Sequence, residues 1–410
     1  MPIAVGVRKT LAFKKQTALG AIAAGGASTG QIVRRVTSTI DLSKNAIKSN
    51  ELLSSQQRRD YRHGVRAVSG SVAGELSIGG YQAFFESMLR QGVQTAATTG
   101  ALITVAAAVT TGAQGTFTRS AGSYLTDGFK IGDVVRWTGW ATTGAPNNAH
   151  NFLILNLTAL VMTVVSLDGV AVGPKAAGDS VTCVLVGKKT WVPASGHTRD
   201  YYTMEHWYGD IGLSEYFTDC VIASAKVDLK PNDMAKIDWS VMGLNMLTGT
   251  SAYFTSPTAP TTGAITAGVN GVLTVSGQRV AIVTSLSLDI DGNFSAPGGV
   301  VGSNVDPDLF PGPIDVSGQA TLFFDDATFR DIFLNETEVA MTVVLTGSNA
   351  ANADFVSFTM SRVKFGGATK DDGEKGITLT VPFTALENTN GGAALANLQT
   401  TISVQDSLFA

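Results

Sequence analysis

Apolar positions in this chain fall mostly in short runs that alternate with polar residues, the pattern of half-buried strands. Residues 33–42 are dense in β-branched side chains and predict a first strand. Residues 43–64 are polar, Arg-rich and aperiodic, and predict a long loop. Residues 67–76 alternate again and read as a strand despite two glycines. The period then changes. Tyr81, Phe84, Phe85, Met88 and Leu89 stand at i, i+3, i+4, i+7 and i+8, one apolar stripe of an amphipathic helix, with Ser77 as its expected N-cap.

This plan occurs twice. Val68-Ser69-Gly70 recurs as Val316-Ser317-Gly318, and residues 40–85 align without a gap to 288–333 at an offset of 248. Asp41 meets Asp289, Asn45 meets Asn293, Asp60 meets Asp308 and Phe85 meets Phe333. In the second copy Asp325 takes the cap position, and Phe329, Ile332 and Phe333 take the stripe. Strands are expected at 201–208, 216–229 and 234–244, and again at 338–345, 355–365 and 377–386. Aligning the last strands gives an offset of 142, so the first copy holds 106 extra residues after its helix. A repeated unit implies an assembly built from related surfaces.

The extra residues form an expected small β-barrel or sandwich at 105–188, with strands near 132–137, 152–157, 161–165 and 178–185. Having no counterpart in the second copy, it is expected outside the main body and removable. The division that follows is an N-terminal arm 1–33, copy one at 34–104 plus 189–246, the insert 105–188, a Thr/Ala/Gly/Pro-rich linker 247–275, copy two at 276–387, and a tail 388–410 whose apolar end could dock as a final strand.

At 410 residues, with 44% hydrophobic residues, 15% charged and 45 Gly, the chain is ordered and exceeds a single ordinary core. Charge is uneven: residues 1–66 carry twelve Lys and Arg against three Asp and Glu, a local +9, and the remainder carries −13. A basic arm docking on an acidic neighbouring copy is one expectation from this split, a solvated arm the other. Cys183 and Cys220 are far apart and predict two reduced, buried thiols. No apolar run has the length of a membrane helix. Residues 8–29 mimic a signal peptide only weakly, with a short, Gly-rich apolar part.

Candidate chemistry is sparse. Gly26-Ala27-Ser28-Thr29-Gly30 fits GxSxG, but a nucleophile elbow needs a strand before Ser28 and a helix after it, and no βαβ alternation is present. Asp289-Ile290-Asp291-Gly292-Asn293 opens like a calcium loop but has Val300 at position twelve, so an Asp-Gly hairpin turn is expected instead. His63, His150, His197 and His206 lack metal-ligand spacing. No catalytic, cofactor-binding or metal residue is assigned, no cofactor is expected, and the chain does not read as an enzyme.

The stretch from Arg58-Arg59-Asp60-Tyr61-Arg62-His63 through Gly74-Glu75-Leu76-Ser77 resembles major tail tube proteins of long-tailed, non-contractile (siphovirus-like) phages. So do Tyr202-Thr203-Met204-Glu205-His206-Trp207-Tyr208, Val227-Asp228-Leu229-Lys230-Pro231-Asn232 and Met242-Gly243. The resemblance covers most of 30–245 and, less sharply, 280–386. It implies a mainly β chain: two tandem tube-type β-sandwich or barrel domains, each with one flanking helix, plus the small inserted β domain. It implies a structural virion protein whose rings stack into a channel for genome ejection. With two domains per chain, the ring is expected to be a homotrimer of pseudo-hexameric symmetry. Implied partners are copies of itself, the tape measure protein, the tail terminator and the distal tail protein, with double-stranded DNA passing the lumen unbound and no membrane involved. Its place would be the virion tail, assembled in the host cytoplasm. An acidic body suits such a conduit, since a basic lining would hold phosphates by counterion release.

Two rivals remain from the residues alone. One is a β-rich adhesin or glycan-binding protein using Trp137, Trp140 and Tyr124 of the insert, which requires those rings to be exposed. The other is a hydrolase using Ser28.

Overall fold

The computed structural model describes residues 3–94, 97–99, 103–371 and 376–410. The chain is mainly β with few helices. Its central sheet runs through Asp41–Lys48, Tyr61–Glu75, Lys236–Gly243 and Leu213–Leu229 as successive neighbours. Leu213–Leu229 then pairs with Val283–Asp291, and the order continues through Asp315–Phe323, Thr378–Ala385 and the end of Phe355–Phe365. The second set of four strands follows the sequence order of the first.

Flanking strands follow the same plan. Lys9–Lys15 lies on Tyr202–Tyr208 with Lys9 opposite Tyr208 and Leu11 opposite His206. Gly271–Val275 lies on Val339–Thr346 with Gly271 opposite Leu345 and Leu273 opposite Val343. Asn245–Gly249 pairs with Leu213–Leu229, and Ser403–Asp406 pairs with Phe355–Phe365. Leu213–Leu229 serves two layers because a register shift at Ile222/Ser224 bends it: its first half pairs with Tyr202–Tyr208, its second with Lys236–Gly243.

Helix α1 (Gln82–Met88) seals this sheet. Its stripe is buried as the spacing predicts, and Tyr81, Phe84 and Phe85 surround Trp239 at ring distances of 5.7, 5.4 and 4.9 Å. Ser77 is not its cap. The backbone of residues 76–78 is drawn into pairing with Ala235, Ala264 and Thr266, so the helix begins four residues later, after Tyr81, and Ser77 Oγ is buried without a partner. Helix α2 (Thr328–Leu334) departs further: Asp326, not Asp325, accepts from Thr328 N at 2.8 Å, and no residue of the helix is buried. The physical reason is what lies above each helix. Phe85 of α1 packs on Phe358 and Phe409 from the second half, whereas Phe333 and Leu334 of α2 remain 36% and 63% exposed.

Three expectations fail on the flanks. The predicted 43–64 loop is a loop only at 49–60; residues 43–48 and 61–64 belong to a two-stranded ribbon of Asp41–Lys48 and the start of Tyr61–Glu75, exposed on both faces and therefore without amphipathic alternation to read. The strand predicted at 33–42 shrinks to Thr37–Ser38 before Asp41. The arm and the linker are not free segments, since Lys9–Lys15, Ala27–Ile32, Ser256–Thr258 and Gly271–Val275 all join the body, with Leu11 and Ala12 buried.

Residues 103–185 carry a closed barrel of six strands: Ile103–Thr111, Gln114–Arg119, Val134–Thr138, Asn151–Leu157, Val161–Ser166 and Ser180–Leu185. Phe117, Tyr124, Phe129, Trp137 and Phe152 fill it. The barrel is fused to the body. Val134, Leu153 and Val165 share a buried cluster with Val272, Val344 and Phe355, so excision would uncover apolar surface and is not the neutral change expected from sequence.

Candidate functional site: a polar sheet face and two open edges

The central sheet buries one face and presents the other. Strand alternation places Ser69 and Ser71, Ser224, Lys226 and Asp228, Asp238 and Ser240, Ser285, Ser287, Asp289 and Asp291, and Asp315, Ser317 and Gln319 on one side, while Val72, Trp239, Val227, Leu288, Ile290 and Val316 point to the core. Register joins these residues across strands: Ser71 meets Ser240, Ser240 meets Ser224, Ser224 meets Asp291, and Asp291 meets Asp315. The polar face carries seven carboxylates (Asp41, Glu75, Asp228, Asp238, Asp289, Asp291 and Asp315) against Lys226, Lys236 and Lys364. Most of the rest is Ser and Thr, so the surface is polar and net acidic.

At each end this sheet has an edge. Residues 37–48 pair with Tyr61–Glu75 on one side, and the opposite side holds no strand among the described residues. At the other end, residues 366–371 pair only with Thr378–Ala385 among the described residues, through Gly366 N to Pro382 O at 2.8 Å, Asp371 N to Thr378 O at 2.9 Å, and the Thr369–Lys370 bridge. Unpaired edges of this length are hazardous in a monomer unless a partner strand covers them. The exposed ribbon adds cations at one edge: Lys44, Lys48, Arg58, Arg59 and Arg62 lie on or beside it.

The sequence candidates for chemistry are dispersed. Ser28 lies within the strand Ala27–Ile32, which pairs with Lys9–Lys15 and, in parallel, with Ser256–Thr258. The next element is a strand, so the turn that an elbow requires is not there; the side chain of Ser28 lies outside the described residues. Asp289 is in mid-strand, and Asp291 Oδ1 accepts from Asn293 N at 2.8 Å. The chain returns only at Asp315, so Asp291-Gly292 turns into a long loop, not the tight hairpin expected.

The four histidines occupy separate places. His63 is exposed on the ribbon beside Tyr61, His150 Nδ1 lies 2.6 Å from Asp168, and His197 is exposed. His206 is buried with Nε2 2.7 Å from Ser38 Oγ; burial, with Lys9 and Arg35 nearby, pushes its pKa down to about 3, so it is neutral at physiological pH. Among the described residues no group of His, Cys, Asp and Glu could hold a metal. Cys183 and Cys220 are free and buried, and burial raises both thiols. Trp137 and Tyr124 have no exposed surface and Trp140 has 4%, which removes the feature on which the adhesin reading depended.

Sequence reasoning missed the polar face and the edges. Its signal was present in the i, i+2 spacing of Ser69 and Ser71, Ser285 and Ser287, and Asp289 and Asp291, but an exposed face and a channel wall have the same alternation.

Nothing among curated proteins matches the chain. A family model described as phage tail tube protein matches residues 6–385, a span that takes in both halves of the sheet and the barrel between them. With that match over nearly its whole length, the chain belongs to the phage tail tube protein family, structural proteins of the virion tail.

Proposed function

We propose that this protein is the major tail tube protein of a long-tailed, non-contractile phage, a duplicated form in which three chains close a ring of six tube units. The observation that carries this reading is the repeated strand order. The order of the first four strands recurs in the next four, and the chain joins the two sets by a strand-to-strand junction while leaving an open edge at each end. A heterologous contact of this kind closes a ring when the rotation allows.

The inner wall would be the polar face. Three chains would contribute about 24 strands, and at about 4.8 Å per strand the backbone circle is roughly 37 Å across. Side chains from a sheet face occupy about 5 Å on each side, leaving roughly 27 Å, wide enough for a nucleic-acid duplex. A net acidic, Ser- and Thr-rich wall repels phosphates, so DNA would pass without specific binding. The exposed ribbon, polar on both faces, would reach along the tube axis to the adjoining ring, and the tail would be completed by the tape measure, tail terminator and distal tail proteins. On this reading the chain has no catalytic role, and it assembles in the host cytoplasm. The six units would then comprise residues 34–104 with 189–246 and residues 276–387, with the barrel projecting from the outer wall.

Negative-stain electron microscopy of the purified protein tests this. Stacked rings with six-fold-like projections and three chains per ring are expected. Protein that stays monomeric at high concentration, or rings of six chains, would overturn it.

A further inference from the structure

The junction inside the chain is a template for the junction between chains. We infer that residues 366–371 of one copy pair antiparallel with residues 39–43 of the next, with Thr369 opposite Asp41. This rests on the ring reading above and assigns its register.

Inside the chain, Ser224 pairs with Asp291, Lys226 with Asp289 and Leu229 with Leu286. Leu213–Leu229 corresponds to the strand beginning at Phe355, and Lys236–Gly243 to Thr378–Ala385, both at an offset of 142. The offset of 248 carries Asp289 back to Asp41. The 142 offset holds as far as Gly366, which faces Pro382, but one extra residue follows: Thr369 pairs with Thr380 and Lys370 with Leu379, where Lys226 pairs with Asp238 and Val227 with Ile237. The internal register therefore places Gly366 opposite Ser43, Thr369 opposite Asp41 and Lys370 opposite Ile40. These are the two open edges, and among the described residues each lacks a strand on the side the template would fill.

A second contact follows independently. Phe85 of α1 meets Phe358 at 5.9 Å within the chain. The same shifts turn this pair into Phe333 of α2 and Tyr216 of the next copy. Phe333 is 36% exposed on α2, beside Leu334 at 63%, and Tyr216 is half-buried, so the template supplies cover that α2 lacks.

Charge then fixes which end meets which. Within the chain the first unit offers cations to the second: Arg199 pairs with Asp308 at 2.9 Å, and Arg90 donates to Gly292 O at 2.9 Å. At the chain ends the signs invert. Arg90 corresponds to Glu338, and Glu336 stands two residues before it. The loop that would face them carries Arg58, Arg59 and Arg62 around Asp60. In the free chain Glu338 holds Arg362 at 2.7 Å, and Lys364 lies 3.9 Å from Glu336, so these carboxylates would be shared on docking. Opposite charge codes at the two junctions let a second unit accept a first unit and discourage first-to-first contact.

The test is cysteine cross-linking of the full chain. Directly opposed antiparallel residues have Cα atoms about 4.5–5.5 Å apart, inside the range a disulfide spans. Thr369→Cys with Asp41→Cys, oxidised, should give dimer and trimer bands about tenfold above either single variant. Tubes that form in micrographs without that ladder would overturn the register while leaving the tube reading standing; equal cross-linking by one single variant would show a two-fold contact and overturn it too. Absence of tubes from the wild type would sink both. Should the cysteine pair disturb folding, Glu336→Arg with Glu338→Arg decides: it should abolish tubes, and Arg58→Glu, Arg59→Glu and Arg62→Glu should restore them. No loss with the first set, or no rescue with the second, would overturn the charge assignment.

Discussion

Lys189 Nζ lies 2.8 Å from Asp133 Oδ1, and both side chains are buried. Asp133 immediately precedes the barrel strand Val134–Thr138, and Lys189 stands in Lys188–Trp191, which pairs with Ser403–Asp406 of the body. One ion pair therefore fastens the barrel to the sheet. Burial pushes the Asp133 carboxyl up, and the Lys189 ammonium pulls it back. Around it Gln405 Nε2 donates to the carbonyls of Val134 and Val186, and Lys130 Nζ donates to those of Gly392, Ala393 and Leu395.

Removing one partner strands a buried charge. Lys189→Ala should cost about 3–5 kcal/mol in urea unfolding, whereas Lys189→Met with Asp133→Leu should cost less than either single change. A near-neutral Lys189→Ala would show that the barrel is held by its apolar contacts alone.

The strand Lys9–Lys15 belongs to the body by its register with Tyr202–Tyr208 and by buried Leu11. Leu11→Ala should destabilise the unassembled chain by about 2–5 kcal/mol, read by thermal or chemical melts. Unchanged melts with weakened tube pelleting would instead assign the strand to contacts between chains, as the basic N-terminal segment suggested.

His206 gives a pH signature. Its folded pKa lies far below the ordinary histidine value, so the unfolded chain takes up the proton first on acidification. The stability it contributes is complete above about pH 6.5 and is lost as pH falls towards the folded value, by about 1.4 kcal/mol per pH unit. His206→Gln can keep a bond to Ser38 and should flatten the acid limb of the stability curve. Parallel curves for wild type and variant would rule out His206 as the source.

Asp406 has the opposite sign. Burial raises its carboxyl to about 7, against hydrogen bonds from Gly79 N at 2.7 Å and Leu408 N at 2.8 Å. A raised carboxylate stabilises the fold at low pH and loses that contribution as pH rises through about 7. The stability of Asp406→Asn relative to wild type should therefore improve between about pH 4 and 8. A pH-independent difference would contradict this.

Much of the fold was legible because the core strands bury one face. The strand predicted at 355–365 has those bounds in the structure, and Leu213–Leu229, Lys236–Gly243, Val339–Thr346 and Thr378–Ala385 depart by a few residues at most. The helix stripe Tyr81, Phe84, Phe85, Met88 and Leu89 was legible for the same reason. Exposed or shared elements were not. The ribbon at Asp41–Lys48 has no buried side to set a period, and Leu273 faces a core that the Thr/Gly-rich composition around it conceals. Ser77 lost its capping role to backbone pairing with a distant segment, which no local pattern records.

The polar face of the sheet makes the sharpest demand on the tube reading. Asp289, Asp291 and Asp315 stand on adjacent strands, with Asp291 directly opposite Asp315. Like charges facing each other cost stability, so their retention on one wall calls for a reason beyond folding. Replacing all three by Lys moves the face from net acidic to net basic, while Lys226, Lys236 and Lys364 are unaltered. In a closed ring each added lysine would recur around the wall, and the channel would neutralise phosphates and release their counterions. Wild-type tubes should bind duplex DNA negligibly at about 50 mM salt, whereas Asp289→Lys/Asp291→Lys/Asp315→Lys tubes should bind it and lose affinity by about a thousandfold or more at about 200 mM. The measurement is co-sedimentation of short duplexes with intact tubes, whose integrity is checked by micrograph. Intact variant tubes that bind no more DNA than wild type would place this face outside the channel.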